Sequence, residues 1–289
     1  MTEKAWAAAD LLKTVTDFLG QKGLPSPRLE AEILLSEVLG LTRVELYVNF
    51  ERVLTPEELE DYRGLVRRRL SHEPSAYILG RKEFYLLNFK VTPDVLIPRP
   101  ETELLVDEAR RLAAKFPAPR IADLGCGCGA IALALAKSLP QSQILATDVS
   151  PEALAVAKFN AEALKLDNQV EFRQGDLIEP LLGRSFDLVC ANLPYVPHDE
   201  IATLEPDVQK FEPHLALDGG PDGLSLYRRL LPEVKKVLAP GGYLLMEIHP
   251  PTFSDLASLV ETAGLGLAQA IPDLARANRL AVAQAPPTA

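Results

Sequence analysis

Four consecutive residues, Asn192-Leu193-Pro194-Tyr195, combine an amide, a rigid turn and an aromatic ring. Such a set suits the binding of a planar NH2 group. The amide can accept a hydrogen bond from it, a main-chain carbonyl can accept a second, and the ring can stack over the plane. The motif follows residues 186–191, an apolar run typical of a buried strand, so we expect it at the carboxyl end of that strand. If a methyl donor binds nearby, the NH2 group would be the nucleophile.

A glycine-rich loop, Gly125-Cys126-Gly127-Cys128-Gly129, separates a predicted strand ending at Asp123-Leu124 from a predicted helix beginning at Ala130. Glycines at alternate positions permit unusual backbone angles and the close approach of a ligand, and the helix N-terminus offers free N–H donors. A dinucleotide-binding loop has the spacing G-x-G-x-x-G, whereas here the third glycine comes one residue early. The loop therefore argues against NAD.

Two acidic residues follow the next predicted strands. Asp148 ends one of them, where a carboxylate can chelate ribose hydroxyls. Asp176 ends another, where a carboxylate can receive the amino group of adenine. A cationic sulfonium suits such an acidic pocket better than a pyrophosphate does. The glycine loop, the two acids and the Asn192 motif, on successive strand ends, therefore predict a site for a methyl donor. The alternative is that the glycines serve only tight turns.

The elements that must position these residues fall into two patterns. Residues 1 to about 80 have the apolar spacing of helices, and Thr55-Pro56-Glu57-Glu58 is a capping box with proline at the first helical position. Residues 82–86 and 88–92 are short β-prone runs that predict a hairpin. From residue 98 onward strand and helix patterns alternate, which predicts an α/β fold with a mostly parallel sheet and helices on both faces.

The composition is that of an ordinary globular protein, with 289 residues of which 47% are hydrophobic and 24% charged. The formal net charge of −10 disfavours non-specific binding to duplex nucleic acid, which depends on Lys and Arg contacts to phosphates. No run approaches the roughly 18 uninterrupted apolar residues of a membrane span. We therefore predict neither a stable nucleic-acid complex nor membrane insertion.

The three cysteines do not make a disulfide framework, and this favours a reducing cytoplasm as the location. Cys126 and Cys128 stand where the loop needs small residues, and Cys190 lies inside a predicted strand. The four histidines are scattered without ligand spacing; they are His72, His198, His214 and His249. We therefore predict no metal site.

Taken together, these motifs resemble the HemK-like protein-(glutamine-N5) methyltransferases, which modify peptide chain release factors. The resemblance covers nearly the whole chain, and its most discriminating part is Pro98-Arg99-Pro100-Glu101-Thr102-Glu103. It also includes residues 211–217 and 218–224. It implies a Rossmann-like class I methyltransferase domain with a mostly parallel seven-stranded sheet over residues 98–289. A helical-bundle domain over 1–79 and a hairpin linker over 80–97 would precede it.

The resemblance also implies the roles of individual residues. The donor would be S-adenosylmethionine, with contacts from Asp123, Gly125, Cys126, Gly127, Cys128, Gly129, Asp148, Asp176, Leu177 and Asn192. The substrate glutamine would meet Asn192, Leu193, Pro194 and Tyr195, with Arg99 and Glu101 shaping the entrance. Catalysis would rest on Asn192, Pro194 and Tyr195. For Arg99 and Glu101 a structural ion pair is the alternative, and Glu247 is either a wall of the site or a plain strand end.

The implied partners are class 1 release factors, recognised with the help of the helical domain by an enzyme that acts as a monomer. Two positions depart from the family pattern, since Leu193 stands where proline is usual and His249 where glycine is usual. Asn-Leu-Pro-Tyr also resembles the motif of adenine-N6 rRNA dimethyltransferases, so methylation of a nucleic-acid amino group is an alternative. The chain could also act on another protein glutamine, as in a ribosomal protein, or bind the donor without turnover.

Overall fold

The N-terminal part of the chain folds into helices, as its apolar spacing predicts. Their bounds are α1 (Ala8–Gln21), α2 (Pro27–Leu39), α3 (Arg43–Val48), α4 (Pro56–Leu70) and α5 (Ser75–Leu79). The capping box is confirmed, because the Glu58 N–H donates to Thr55 Oγ1 and the Thr55 N–H donates to Glu58 Oε2. The computed structural model describes residues 6–287, so the outer ends of the two predicted domains, 1–5 and 288–289, lie outside it.

These helices form one compact unit, residues up to Gly80, together with Glu205–Phe211, which contains α9 (Pro206–Phe211). Arg69 is buried within this unit, with its side chain 2% exposed. Its Nε lies 3.1 Å from Glu30 Oε2 and its Nη2 lies 2.7 Å from Asp207 Oδ2. Two carboxylates therefore compensate one buried guanidinium, and one of them comes from a distant part of the sequence.

The second unit comprises Arg81–Leu204 and the residues from Glu212 onward. It begins with the predicted hairpin, in which β1 (Arg81–Phe84) pairs antiparallel with β2 (Leu87–Lys90). The turn residues Tyr85 and Leu86 have φ angles of 51° and 60°, as a two-residue hairpin turn of the primed type requires.

A seven-stranded sheet forms the centre of the second unit. Its strands are β3 (Arg120–Leu124), β4 (Gln143–Asp148), β5 (Val170–Gln174), β6 (Phe186–Ala191), β7 (Leu238–Glu247), β8 (Gly266–Pro272) and β9 (Asn278–Gln284). Their order is β5-β4-β3-β6-β7-β9-β8, with β3 to β7 parallel and β9 antiparallel to both of its neighbours. The sequence pattern does not predict strand β8, because its residues include Gly266, Gln269 and Pro272, which have little β propensity.

Helices cover both faces of the sheet. They are α6 (Glu103–Ala113), α7 (Ala130–Ser138), α8 (Pro151–Ala163), α10 (Ser225–Val234) and α11 (Phe253–Thr262). On one face alternate strand residues such as Ala122 and Leu124 share a core with α10 and α11. Helix α6 contacts β6 and β7 with buried residues that lie outside this core. The predicted Rossmann-like α/β fold is thereby confirmed.

The strand order determines which loops are neighbours. Parallel strands β3 and β6 are adjacent in the sheet although β4 and β5 lie between them in sequence. The order in which successive strands join the sheet therefore reverses at this pair. Leu124 at the end of β3 pairs with Ala191 at the end of β6. The glycine loop and the Asn192 motif therefore leave the sheet side by side, at the kind of crevice where α/β sheets bind ligands. No helix among residues 6–287 is long and apolar enough to cross a membrane.

The buried charges of the first unit give a stability prediction. Replacing Asp207 with Ala should lower the free energy of unfolding by about 3 kcal/mol, because it leaves a buried guanidinium undercompensated. The control is Glu60→Ala, which removes a carboxylate paired with Arg63 and Arg67 at the exposed surface and should change stability by less than about 1 kcal/mol. Urea unfolding measures both variants, and equal losses would contradict the assigned role of Asp207.

Candidate active site

A cavity of about 600 Å³ opens at the carboxyl ends of the parallel strands in the second unit. This volume falls within the usual range for small-molecule sites. The predicted site residues that line it are Arg99, Gly125, Cys126, Gly127, Cys128, Asp148, Asp176, Leu177, Asn192, Leu193 and Pro194. The predicted residues outside its lining are Asp123, Gly129, Glu101 and Tyr195. Most of the expected donor and acceptor residues therefore share one cavity.

The three glycines of the loop all take left-handed backbone angles, with φ of 66° at Gly125, 53° at Gly127 and 84° at Gly129. Their surroundings differ. A Cβ on Gly129 would lie 3.3 Å from Ala157 Cβ, whereas a Cβ on Gly127 would meet no atom of the described chain within 4 Å. Gly129 therefore allows the loop to pack closely against α8, and Gly127 is the glycine beside open space.

Asp123 supports the loop from beneath. It is fully buried, its Oδ2 accepts the N–H of Ala132 at 3.1 Å, and its Oδ1 has no hydrogen-bond partner among residues 6–287. Burial raises the pKa of Asp123 to about 8, and the hydrogen bond from Ala132 acts against this rise. In this position the carboxyl holds the first turn of α7 rather than lining the cavity.

Asp148 connects the end of β4 to the glycine loop. Its Oδ2 accepts the Gly127 N–H at 2.9 Å and its Oδ1 accepts the Ser150 N–H at 3.0 Å. Burial raises the pKa of Asp148, while these backbone N–H groups act against the rise. Each carboxylate oxygen can accept a further hydrogen bond. Asp148 therefore fixes the loop and keeps free hydrogen-bond acceptor capacity in the lining of the cavity.

Asp176 and Leu177 follow β5 and line the cavity beside Arg229 of α10. The Arg229 guanidinium forms an ion pair with the Asp176 carboxylate. Sequence reasoning did not identify Arg229, because it lies in an ordinary amphipathic helix without a motif. The ion pair depends on the packing of α10 against the segment that follows β5, which no local sequence pattern predicts.

Asn192 directly follows β6 and is partly buried. Its Nδ2 donates to Thr102 Oγ1 at 3.2 Å, and its Oδ1 has no hydrogen-bond partner among the described residues. Thr102 belongs to the segment Pro98 to Glu103 but was not among the predicted site residues. The amide oxygen of Asn192 is therefore available as an acceptor in the cavity.

Tyr195 turns its hydroxyl toward the end of β7. It donates to Glu247 Oε1 at 3.0 Å, and burial raises the pKa of Tyr195. Glu247 is itself only 2% exposed, and burial raises its pKa as well. Glu247 is thus more than a plain strand end, because it anchors the aromatic residue of the Asn192 motif.

Two glycines of the segment Asp218 to Leu224 lie very close to the backbone of Pro194 and Tyr195. A Cβ on Gly219 would lie 2.8 Å from Tyr195 Cα and 2.9 Å from the Pro194 carbonyl oxygen. A Cβ on Gly223 would lie 2.3 Å from the Tyr195 carbonyl oxygen. No side chain fits in either place, so this segment acts as a backbone support for Pro194 and Tyr195.

The two departures from the family pattern have identifiable contacts. Leu193 is buried, and a Cβ on Gly125 would lie 3.2 Å from its Cδ2, so its side chain packs on the glycine loop. Leu193 also has a backbone N–H, which a proline would lack. Burial raises the pKa of Tyr227 in α10 well above its usual value, and this N–H acts against the rise. His249 Nε2 lies 3.5 Å from Glu200 Oε2.

Arg99 lines the cavity, but its ion-pair partner is Glu212 rather than Glu101. Arg99 Nη2 lies 2.5 Å from Glu212 Oε1, and Glu212 is 4% exposed. Glu101 is exposed. The guanidinium is therefore held at the cavity wall by a buried carboxylate.

The thiols of the glycine loop have the properties of packing groups. Cys126 and Cys128 are free and buried. Burial raises the pKa of Cys126 well above its usual value and that of Cys128 to about 12. Among residues 6–287 no group of three or more His, Cys, Asp or Glu side chains could hold a metal ion.

Comparison with known proteins identifies relatives over most of the chain. The family model of the PrmC N-terminal domain matches residues 10–80, and that of a methyltransferase domain matches residues 116–272. A release factor glutamine methyltransferase from Geobacter sulfurreducens is 48% identical over 86% of this chain and 87% of the relative. Another, from Rhodopirellula baltica, is 42% identical over 90% of this chain and 89% of the relative.

Among solved structures, a methyltransferase from Pyrococcus furiosus resembles this chain with a TM-score of 0.51. The similarity covers 76% of this chain and 97% of that one, at 17% identity. At this level of identity the likeness concerns the fold alone.

The buried carboxyl of Asp123 predicts a pH-dependent stability. Since its pKa in the folded chain lies above the ordinary value of 3.8, the folded state binds more protons than the unfolded state between about pH 4 and 8. The free energy of unfolding should therefore fall as pH rises through this window, by up to about 1.4 kcal/mol per pH unit. Asp123→Asn should lack this contribution, so its stability relative to the wild type should grow with pH. Parallel curves in chemical denaturation would refute the assignment.

The support by residues 218–224 predicts a difference between two glycines with similar backbone angles. Gly183 has φ of 82° and Gly223 has φ of 79°, but a Cβ on Gly183 would meet no atom of the described chain within 4 Å. Gly183→Ala should therefore show only the cost of the left-handed angle, about 1–2 kcal/mol. Gly223→Ala should cost about 1–3 kcal/mol more, because its Cβ collides with the Tyr195 carbonyl. Similar unfolding free energies for the two variants would show that this close approach is unimportant.

Proposed function

The chain belongs to the family of release factor glutamine methyltransferases, and we propose that it methylates the glutamine side-chain nitrogen in the Gly-Gly-Gln tripeptide of class 1 release factors. The methyl donor is S-adenosylmethionine. One observation carries this proposal: the Asn192 amide, with its oxygen unengaged, lines the same cavity as the glycine loop and Asp148.

The residues of the cavity fit the donor. Asp148 retains acceptor capacity for two ribose hydroxyls, and Gly127 leaves open space beside the loop. Asp176 and Leu177 would border the adenine, and Arg229 would keep the Asp176 carboxylate oriented. When bound, S-adenosylmethionine supplies an electrophilic methyl group on a positively charged sulfur. Acidic side chains suit that charge.

The acceptor nitrogen of a glutamine side chain is a weak nucleophile, because its lone pair is delocalised into the carbonyl. Asn192 Oδ1 and the Leu193 main-chain carbonyl would accept hydrogen bonds from the two N–H groups of the glutamine amide. These bonds would orient the nitrogen toward the methyl carbon. Proximity and orientation of this kind can lower a barrier by roughly 7–11 kcal/mol. The two oxygen dipoles would also stabilise the nitrogen as it becomes positive. The alkylated nitrogen is acidic, so its extra proton can pass to water without a strong base.

Protein rather than nucleic acid is the substrate that the charge supports. The net charge of −10 is unfavourable for binding a polyanion. The sequence identity to release factor glutamine methyltransferases extends through the helical first unit as well as the methyltransferase domain. Action as a monomer in the cytoplasm completes the proposal.

Transfer of a labelled methyl group tests this function. We expect label from S-adenosylmethionine on a purified class 1 release factor, and none on the same factor with its Gly-Gly-Gln glutamine replaced by Ala. Bulk ribosomal RNA and ribosomal proteins serve as competing substrates. Label on RNA, or label that survives the glutamine replacement, would overturn the proposed function.

Asn192→Ala should lower the turnover number at least about 100-fold, because it removes an acceptor that acts on the reacting nitrogen. Donor affinity, measured by calorimetry with S-adenosylhomocysteine, should change only a few-fold. The matched control is Asn168→Ala at an exposed position outside the cavity lining, which should leave both quantities unchanged. Turnover of Asn192→Ala within a few-fold of the wild type would exclude the assigned role of Asn192.

A further inference from the structure

We propose that Thr102 and Glu247 are positioning residues that fix the Asn192 amide with its oxygen toward the acceptor nitrogen. The inference rests on the proposed function and deepens it. It concerns which way the amide faces, because only the oxygen of Asn192 can accept an N–H bond from a glutamine NH2 group.

The geometry begins with three polar groups at the ends of neighbouring elements, of which Thr102 and Glu247 are buried and Asn192 is partly buried. Thr102 is 4% exposed and directly precedes α6, Asn192 follows β6, and Glu247 ends β7 with 2% exposure. Asn192 Nδ2 lies 3.2 Å from Thr102 Oγ1. Glu247 Oε1 accepts a hydrogen bond from the Tyr195 hydroxyl, whereas Oε2 is buried and has no hydrogen-bond partner among the described residues.

In the proposed arrangement the Thr102 hydroxyl supplies the hydrogen-bond donor that Glu247 Oε2 lacks. Burial raises the pKa of Glu247, and Thr102 is the first of the groups that act against this rise, followed by the Tyr195 hydroxyl and Arg279. Glu101 is the other charged group that acts on Glu247, and it raises the pKa. An ionised carboxylate can only accept hydrogen bonds, so the proton of the Thr102 hydroxyl turns to Glu247.

A hydroxyl has only one proton to donate. This single proton determines which group donates and which accepts in the series of hydrogen bonds from Asn192 through Thr102 to Glu247. Once Thr102 donates to Glu247, its oxygen can only accept from Asn192. Asn192 must then present Nδ2 to Thr102 and turn Oδ1 to the cavity. If the amide were reversed, Nδ2 would face the NH2 group of the substrate, and two donors would oppose each other. The buried carboxylate thus selects the productive orientation of an amide that it does not touch.

Thr102→Val tests this arrangement, because valine keeps the shape of threonine but lacks the hydroxyl. The turnover number with a release factor should fall about 10- to 100-fold, because the hydrogen bond that orients the Asn192 amide is lost and a buried polar group is left unpaired. The KM for the donor and the affinity for S-adenosylhomocysteine should stay within about twofold of the wild type. Thr102→Ser keeps the hydroxyl and should restore turnover to within about threefold of the wild type.

A matched control is Thr16→Val, which removes a buried hydroxyl without a hydrogen-bond partner among the described residues of the first unit. It should leave turnover unchanged. If Thr102→Val keeps full turnover, or if Thr102→Ser is as impaired as Thr102→Val, the positioning role is wrong.

Glu247→Gln supplies a readout that a merely structural role would not change. Protonation of Glu247 would end its function as a pure acceptor, so the wild-type turnover number at saturating donor should fall as pH falls through the raised pKa of this carboxyl. A glutamine at this position can donate to Thr102 and reverse the chain of hydrogen bonds. Glu247→Gln should therefore lower turnover at neutral pH and lose the acid limb of the profile. An unchanged acid limb would overturn the inference.

The two proposals fail differently. If the wild-type chain transfers no methyl group to a release factor, the proposed function is wrong whatever the variants do. If the wild type transfers the methyl group but Thr102→Val and Glu247→Gln match it in turnover and pH profile, the function stands and the positioning role falls.

Discussion

The parallel pairing of β3 with β6 is the constraint on which the site depends. Because Leu124 lies opposite Ala191, the glycine loop and the Asn192 motif emerge at adjacent positions from the sheet. The contact is close enough that a Cβ on Gly125 would lie 3.2 Å from Leu193 Cδ2. A donor bound by the first loop and an acceptor held by the second would therefore meet without any large movement of the backbone.

Around this pair of loops the chain buries carboxyl groups that favour function over stability. Burial raises the pKa of Asp123, Asp148 and Glu247, so each ionises less readily in the folded chain than in the unfolded one. Their compensation comes mainly from backbone N–H groups and from hydroxyls, and Arg279 also acts on Glu247. The extensive apolar core shared by the sheet with α10 and α11 offsets this cost.

Sequence reasoning succeeded where local signals agreed with the fold. The glycine loop, Asp148 and Asn192 were assigned to strand ends, and the strands end there because turn residues interrupt apolar runs. It missed contacts that exist only after packing, such as Arg229 on Asp176 and Thr102 on Asn192. The two residues of each pair are far apart in sequence, and no local sequence pattern at one residue predicts its contact with the other. Residues 205–211 belong to the helical unit for a similar reason, since this association also depends on packing between distant parts of the sequence.

The most direct test of the central claim is a crystal structure of the chain with S-adenosylhomocysteine and a Gly-Gly-Gln peptide. If Asn192 binds the acceptor NH2 group through its amide oxygen, the glutamine nitrogen should lie about 2.9 Å from Asn192 Oδ1. Asn192 Nδ2 should at the same time keep its hydrogen bond to Thr102 Oγ1. A glutamine whose carbonyl oxygen faces Asn192 Nδ2, or whose side chain lies outside the cavity, would contradict the account.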